Sequence, residues 1–228
     1  MTQYSLTYQA NHLLLSTNLG SWIIGTGSPR SFSELPALEL DGVTLNLAPT
    51  FAGLNAANLT ALVGVPVTGL IGIDVLKRFD ITFDLPSSQI IFSSEPVALN
   101  GTVVPLQTYQ SLPILDAIIG GQKTRAFLET GAKLSYWADA SLVNYPATGV
   151  FEDFYPGIGL FQVDTYRVPV GIGGSNFDIR FGVPTTQVLS MLRMAGVTAI
   201  LGNEMFQKAK IGFQPRQNRI QFLSLVSG

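Results

Sequence analysis

Few side chains in this 228-residue chain can do chemistry. Cysteine is absent, which excludes thiol nucleophiles, thiolate metal sites and disulfides. His12 is the single histidine and opens the apolar run His12-Leu13-Leu14-Leu15, so a Ser-His-Asp triad is disfavoured and the ring reads as structural, at a strand end. Carboxylates remain. Asp80, Asp84 and Asp116 are scattered among strand-like segments, with no His or Cys nearby to complete a metal site. Asp74 and Glu204 stand at equivalent helix starts, and Asp74 is expected to cap a helix running through Phe79. Gly171-Ile172-Gly173-Gly174 lacks the strand-loop-helix surroundings of a phosphate loop and reads as a hairpin turn. Glu129 belongs to something more specific, a turn that occurs twice.

The first copy of that turn is Ile23-Ile24-Gly25-Thr26-Gly27-Ser28 and the second is Phe127-Leu128-Glu129-Thr130-Gly131-Ala132. Each is followed by a second shared block. Gly69-Leu70-Ile71-Gly72-Ile73-Asp74-Val75-Leu76 aligns without a gap on Ala199-Ile200-Leu201-Gly202-Asn203-Glu204-Met205-Phe206. Beyond it, Ile81-Thr82-Phe83 matches Ile211-Gly212-Phe213, and Ile90-Ile91-Phe92 matches Ile220-Gln221-Phe222. The chain is an internal duplication.

This pairing of blocks resembles the aspartic peptidases, both the bilobal pepsin-like and the half-size retropepsin-like enzymes. In that family each lobe supplies an Asp-Thr-Gly-Ser/Ala turn, followed later by two apolar residues and a glycine. The resemblance implies a mainly β, bilobal acid-protease fold, with one lobe over 1–97 and the other over 98–228. It implies that Thr26 and Thr130 hydrogen-bond across the lobe interface and that Gly27 and Gly131 permit close backbone approach. Ser28 then stands where family members bond the neighbouring carboxylate, which Ala132 cannot do. Leu70-Ile71-Gly72 and Ile200-Leu201-Gly202 become the strands beneath the turns.

By the same resemblance, positions 25 and 129 are those of the two catalytic aspartates. Such a pair holds one water and shares one proton; the ionised acid activates the water and the protonated one stabilises the oxyanion. Gly25 can play neither role, and Glu129 carries its carboxylate one methylene too far, a displacement of about 1 Å that can cost ~10²-fold. Losing one acid/base partner costs a further ~10²–10⁴. The expectation is an aspartic peptidase-like chain inactive as written, a natural pseudo-enzyme or an inactivated variant. The alternatives are a module that holds an extended peptide in the inter-lobe cleft, and a weak acid hydrolase running on Glu129 alone.

Several elements must position these residues. Strand-like alternation covers Tyr4–Tyr8 and His12–Ser16, and the chain returns through Trp22-Ile23-Ile24 into the first turn. Asp41-Gly42 predicts a hairpin. Asn55–Val63 reads as a short helix ended by Gly64, and Thr186–Ala195 as its counterpart ended by Gly196. Prolines and Asn100-Gly101 place the lobe boundary between Ser93 and Pro105. The turns lie 104 residues apart (25 to 129) and the apolar-glycine blocks 130 apart (72 to 202), so the second half carries 26 extra residues. These fall between Ala138 and Tyr166. Because Phe151, Phe154 and Tyr155 sit there with Pro156, Gly157 and Gly159, Val150–Phe161 is expected to lie across the inter-lobe groove near Glu129 as a lid.

Composition sets the partners. Charged residues are 12% of the chain against roughly 25% in typical domains, and apolar ones reach 46%. A net charge of −2 gives no electrostatic reason to expect nucleic acid or an anionic membrane. No stretch reaches the ~18 apolar residues of a membrane span, and Met1-Thr2-Gln3-Tyr4 does not begin a signal peptide. The expected chain is soluble, cytoplasmic or trimmed after export, without cofactor or metal. Both turns being present in one chain, it is expected to be a monomer that takes a peptide or protein ligand.

Overall fold

A computed structural model describes residues 1–155 and 158–223; Pro156 and Gly157, counted above with the lid, lie outside the described residues. The protein is mainly β. In chain order the first half contributes β1 (Thr2–Gln9), β2 (His12–Thr17), β3 (Gly20–Gly25), β4 (Phe32–Ser33), β5 (Ala37–Leu40), β6 (Val43–Asn46), α1 (Ala56–Val63), β7 (Gly69–Gly72), α2 (Ile73–Leu76), β8 (Asp80–Asp84) and β9 (Gln89–Ser93). The second half contributes β10 (Gly101–Pro105), β11 (Gln107–Tyr109), β12 (Leu112–Ile119), β13 (Gln122–Leu128), β14 (Ser135–Trp137), β15 (Ala147–Tyr155), β16 (Gly159–Ile172), β17 (Ser175–Gly182), α3 (Thr186–Met194), β18 (Ala199–Leu201), β19 (Lys210–Gln214) and β20 (Arg219–Leu223).

Among the described residues these strands form three sheets, one of ten strands, one of eight and the β5–β6 hairpin. The eight-stranded sheet runs β11-β12-β13-β18-β14-β17-β16-β15, and β12 also pairs with β16, so it curls back on itself. The ten-stranded sheet runs β10-β20-β19-β8-β9-β1-β2-β3-β7-β4 and crosses the boundary expected between Ser93 and Pro105. The two halves of the chain meet in it at the antiparallel pair β8–β19, in which Ile81, Thr82 and Phe83 face Phe213, Gly212 and Ile211. These two strands, which match in the duplicated sequence, are hydrogen-bonded to each other.

The duplication is kept residue by residue. β3 and β7 pair in parallel with Ile24 opposite Ile71, and β13 and β18 do the same with Leu128 opposite Leu201. Ser31 Oγ accepts from the Gly72 amide at 2.8 Å, and Ser135 Oγ accepts from the Gly202 amide at 2.9 Å. Gly72 and Gly202 must lack a side chain. A Cβ would fall 2.7 Å from the Ser28 carbonyl oxygen at Gly72 and 2.8 Å from the Ala132 carbonyl oxygen at Gly202.

The core joins both halves. Trp22, Phe79, Phe83 and Phe92 from the first pack in one buried cluster with Trp137, Phe181, Phe206 and Phe213 from the second. Full burial of each such ring is worth roughly 2–3 kcal/mol, so the shared cluster is a major source of stability. Two buried acids of β8 serve the same junction. Asp84 pairs with Lys210 at 2.8 Å, and Asp80 pairs with Arg216 at 3.2 Å while accepting from Gln214 and Gln217.

Local signals explain the helices, with one correction. The Asn55 side chain accepts from the Asn58 amide to start α1, and Gly64, in the left-handed region at φ 80°, ends it. Asp74 does not cap α2, which stops at Leu76 rather than reaching Phe79. Gly72 is the cap residue, and the Asp74 carboxylate instead accepts from Ser31 Oγ at 2.7 Å and from the Val75 amide. Beyond Leu76 the backbone tightens to bonds three residues back, Arg78 to Val75 and Phe79 to Leu76, so the α-helical turn is not continued. Among the described residues no helix is long and apolar enough to cross a membrane.

Candidate functional site

The two turns meet face to face. The Thr26 amide donates to Thr130 Oγ1 at 3.0 Å, and the Thr130 amide donates to Thr26 Oγ1 at 3.0 Å. Each hydroxyl then donates to the opposite strand: Thr26 Oγ1 to the Leu128 carbonyl at 2.6 Å, Thr130 Oγ1 to the Ile24 carbonyl at 2.8 Å. Both threonines are fully buried. The backbones approach so closely that a Cβ on Gly131 would lie 3.2 Å from the Gly25 Cα. Each turn is closed by its own bond, Ser28 amide to Gly25 carbonyl and Ala132 amide to Glu129 carbonyl. The Ser28 hydroxyl donates to the Arg30 carbonyl and leaves the neighbouring turn alone.

Above the turns lies a cavity of about 270 Å³. Gly25, Gly27, Ser28, Glu129, Gly131 and Ala132 line its floor, and Leu70 and Ile200 stand beside them. Ile71, Gly72, Leu201 and Gly202 lie underneath, buried. One wall is apolar and comes from the first half, chiefly Ile23, Phe32, Phe51, Leu54 and Leu59. The other wall comes from the second half and includes Tyr136, Asp153, Phe154 and Tyr155.

Asp153, Phe154 and Tyr155 end β15, whose hairpin with β16 holds most of the extra residues of the second half. Phe154 and Tyr155 therefore border the cavity next to the turns. The hairpin is also anchored to its own half: Tyr155 Oη donates to Met191 Sδ at 2.9 Å, and Tyr155 and Phe161 pack on the cluster around Leu192 and Ile200. Phe151 is outside the cavity, beneath Lys133 and Arg180, whose cationic groups lie 5.3 and 5.6 Å from its ring centre.

Four polar side chains join Glu129 at the cavity, and sequence reasoning singled out none of them for it: His12, Lys133, Tyr136 and Asp153. His12 arrives because the β1–β2 turn is held by the second half. Asn203 donates from Nδ2 to the Asn11 carbonyl at 2.8 Å and to the Thr130 carbonyl at 3.3 Å, and accepts from Tyr8 Oη. Asp153 is 6% exposed and well partnered. It accepts from Tyr136 Oη at 2.5 Å and from the Phe154 amide at 2.9 Å, and Lys133 Nζ stands 3.8 Å away. A visible signal existed for Asp153, an acid set between Phe151 and Phe154-Tyr155 in an alternating strand.

Glu129 is the exception. Among the described residues its carboxylate makes no hydrogen bond and no ion pair, and it lies over the Gly27 backbone, where a Cβ would come within 2.2 Å of it. The Glu129 side chain thus reaches across to the first turn. Burial, with the charge of Asp153 second, pushes the Glu129 carboxyl up to about 7. Burial also raises Asp153, against the hydrogen bonds and the Lys133 charge that favour its ionised form. His12 is pushed down to about 4 by burial and then by Lys133, with the Gly131 backbone opposing, and its buried Nδ1 has no partner. Near neutrality the imidazole is uncharged. Among the described residues no three of these groups converge closely enough to hold a metal ion.

This arrangement places at the cavity a carboxyl, Glu129, able to give or take a proton near neutral pH and lying over the Gly27 backbone of the first turn. Asp74 and Glu204 lie elsewhere, the latter paired with Arg167 and Lys208 and accepting from the Arg180 amide. No protein-family model matches the sequence, and no curated protein aligns with it significantly.

Proposed function

We propose that the chain is a bilobal, pepsin/retropepsin-like protein of the aspartic peptidase type that has lost peptide-bond hydrolysis and uses its inter-lobe cleft to hold an extended peptide. One observation carries the reading: the reciprocal Thr26–Thr130 hydrogen-bond network, which joins two sequence-equivalent turns beneath a cavity with an acid at only one of them. The network supports a duplicated dyad scaffold with lobes over 1–97 and 98–228. Gly25 leaves no second carboxyl to share the proton, so the water is neither held nor activated between two acids. The apolar wall and the β15–β16 hairpin, acting as a lid from the second lobe, suit an extended chain with apolar side chains.

Incubation with an unfolded protein from pH 3 to 7, read by mass spectrometry, is expected to give no cleavage above a blank, while an extended statine-containing peptide binds. Pepstatin-sensitive cleavage by the unmodified chain would overturn the proposal. The raised Glu129 carboxyl favours one competing reading, slow acid hydrolysis by Glu129 alone. That reading requires slow cleavage that Glu129→Gln abolishes.

A further inference from the structure

The cavity polar groups do not balance one another. Asp153 has three partners, the Tyr136 hydroxyl, the Phe154 amide and the Lys133 ammonium. Lys133 is spent on Asp153 and on the Phe151 ring. His12, from β2, is neutral near pH 7. Tyr136 from β14 and Tyr155 from β15 are hydroxyls whose pKa burial raises further, so they bring no charge. Among the described residues, Glu129 is the cavity carboxylate that no hydrogen-bond donor or cation meets. An isolated buried carboxylate is costly, and a cation or donor placed beside it relieves that cost. The apolar first-half wall, with Phe32, Phe51 and Leu70, would cover the rest of such a ligand.

We propose that the cavity binds a primary ammonium group carried on an apolar body, with the ammonium against the Glu129 carboxylate and the body against the Phe32–Phe51–Leu70 wall. This rests on the cleft-binding reading above and names its ligand chemistry. The ammonium is either that of a free aralkylamine or that of a lysine side chain within an extended peptide. Binding is linked to protons. The ligand needs Glu129 ionised, so below pH 7 each binding event displaces a proton from it. With Glu129 titrating at about 7, the ionised fraction falls about 30-fold between pH 8.5 and 5.5, and the apparent affinity falls with it. The ammonium probes stay protonated across that range because alkylammonium groups titrate near ~10.

Isothermal titration calorimetry of the whole chain tests this with four probes: 2-phenylethylammonium chloride, the neutral 2-phenylethanol, an N-acetylated apolar pentapeptide with a central lysine, and the same peptide with norleucine. The expected result is at least tenfold tighter binding of 2-phenylethylammonium than of the alcohol at pH 8.5. The advantage shrinks about 30-fold by pH 5.5 and disappears in Glu129→Gln. A lysine peptide that outbinds its norleucine partner assigns the site to peptides; equal peptides with a tight free amine assign it to small amines. If the norleucine peptide binds and no ammonium gains over its neutral partner, the charge inference falls and the cleft reading stands. If nothing binds, both fall. Should Glu129→Gln fold poorly, the pH dependence in the unmodified chain decides: an ammonium affinity that is flat from pH 5.5 to 8.5 overturns the proposal.

Discussion

Replacing Thr26 by valine keeps the shape of a fully buried side chain and deletes only its hydroxyl. Two bonds go with it, the 2.6 Å donation to the Leu128 carbonyl and the 3.0 Å acceptance from the Thr130 amide. Each leaves a buried partner short of a bond at about 1–3 kcal/mol, and the extra methyl returns about 1 kcal/mol. The expected cost is about 1–5 kcal/mol, centred near 3. Thr130→Val removes the two reciprocal bonds and should cost the same within about 1 kcal/mol. The double variant should lose less than the sum, since turns already parted admit water to the second set. Thr26→Ser keeps the hydroxyl and should cost about 1 kcal/mol, the methyl alone. Urea unfolding is the assay, followed by the fluorescence of buried Trp22 in the first half and Trp137 in the second. With a slope of about 2–3 kcal/mol per molar urea, the valine variants should shift the midpoint by about 1 M. A shift corresponding to under about 0.5 kcal/mol, or serine and valine behaving alike, would refute the claim that these hydroxyls join the halves.

Gly25→Asp with Glu129→Asp should restore acid peptidase activity, and either change alone far less, because the two acids act as a unit. A Cβ at position 25 would lie 3.4 Å from Leu70, an ordinary contact, so a folded double variant that neither cleaves nor binds a statine inhibitor would show that the cleft itself has diverged. Stability against pH should reveal two opposed titrations. Glu129, raised to about 7, holds its proton longer when folded, so its share of stability grows as pH falls from 7 towards 4.5. His12, lowered to about 4, stays neutral when folded while the unfolded chain protonates, so its share is lost as pH falls from 6.5 to 4. Each is worth on the order of 3 kcal/mol. Relative to the unmodified chain, Glu129→Gln should therefore lose stability on acidification and His12→Asn should gain it, as read by thermal melts from pH 8 to 4; curves parallel to that of the unmodified chain would contradict both assignments. Gly27→Ala should push the Glu129 carboxylate aside, given a 2.2 Å clash, and Glu129→Ala should remove most of its cost in a double-mutant cycle.

What could be read in advance was local or repeated. The Asp41-Gly42 and Gly173-Gly174 hairpins, the α1 caps and the two matching blocks are written in short stretches whose turn chemistry acts on neighbours. The cavity polar groups were hidden because long-range contacts assemble them. His12 joins the site only after Asn203, 192 residues from Asn11, holds the β1–β2 turn. Asp153 joins only after a nine-residue strand doubles back over its own half. Alternation in β15 shows which side of the strand Asp153 occupies, not what that side faces. The spread of the large sheet was legible in principle: matched segments centred on Thr82 and Gly212 are partners in it. Matching sequence indicates equivalence, however, and pairing between equivalents depends on the symmetry that relates them.

The β8–β19 pairing between the halves also sets a timetable for synthesis. β8 is buried along its whole length, and one of its edges is covered by β19. On the ribosome, Ile81-Thr82-Phe83 emerges with its β9 partner but more than a hundred residues before Ile211-Gly212-Phe213. At about 5–20 residues per second that interval lasts roughly 6–26 s. Throughout it the nascent chain presents an apolar strand edge able to pair with any similar edge, including that of a neighbouring copy on the same message. Production of the protein should accordingly respond to translation speed and to chaperones that shield strand edges more than its finished stability would suggest.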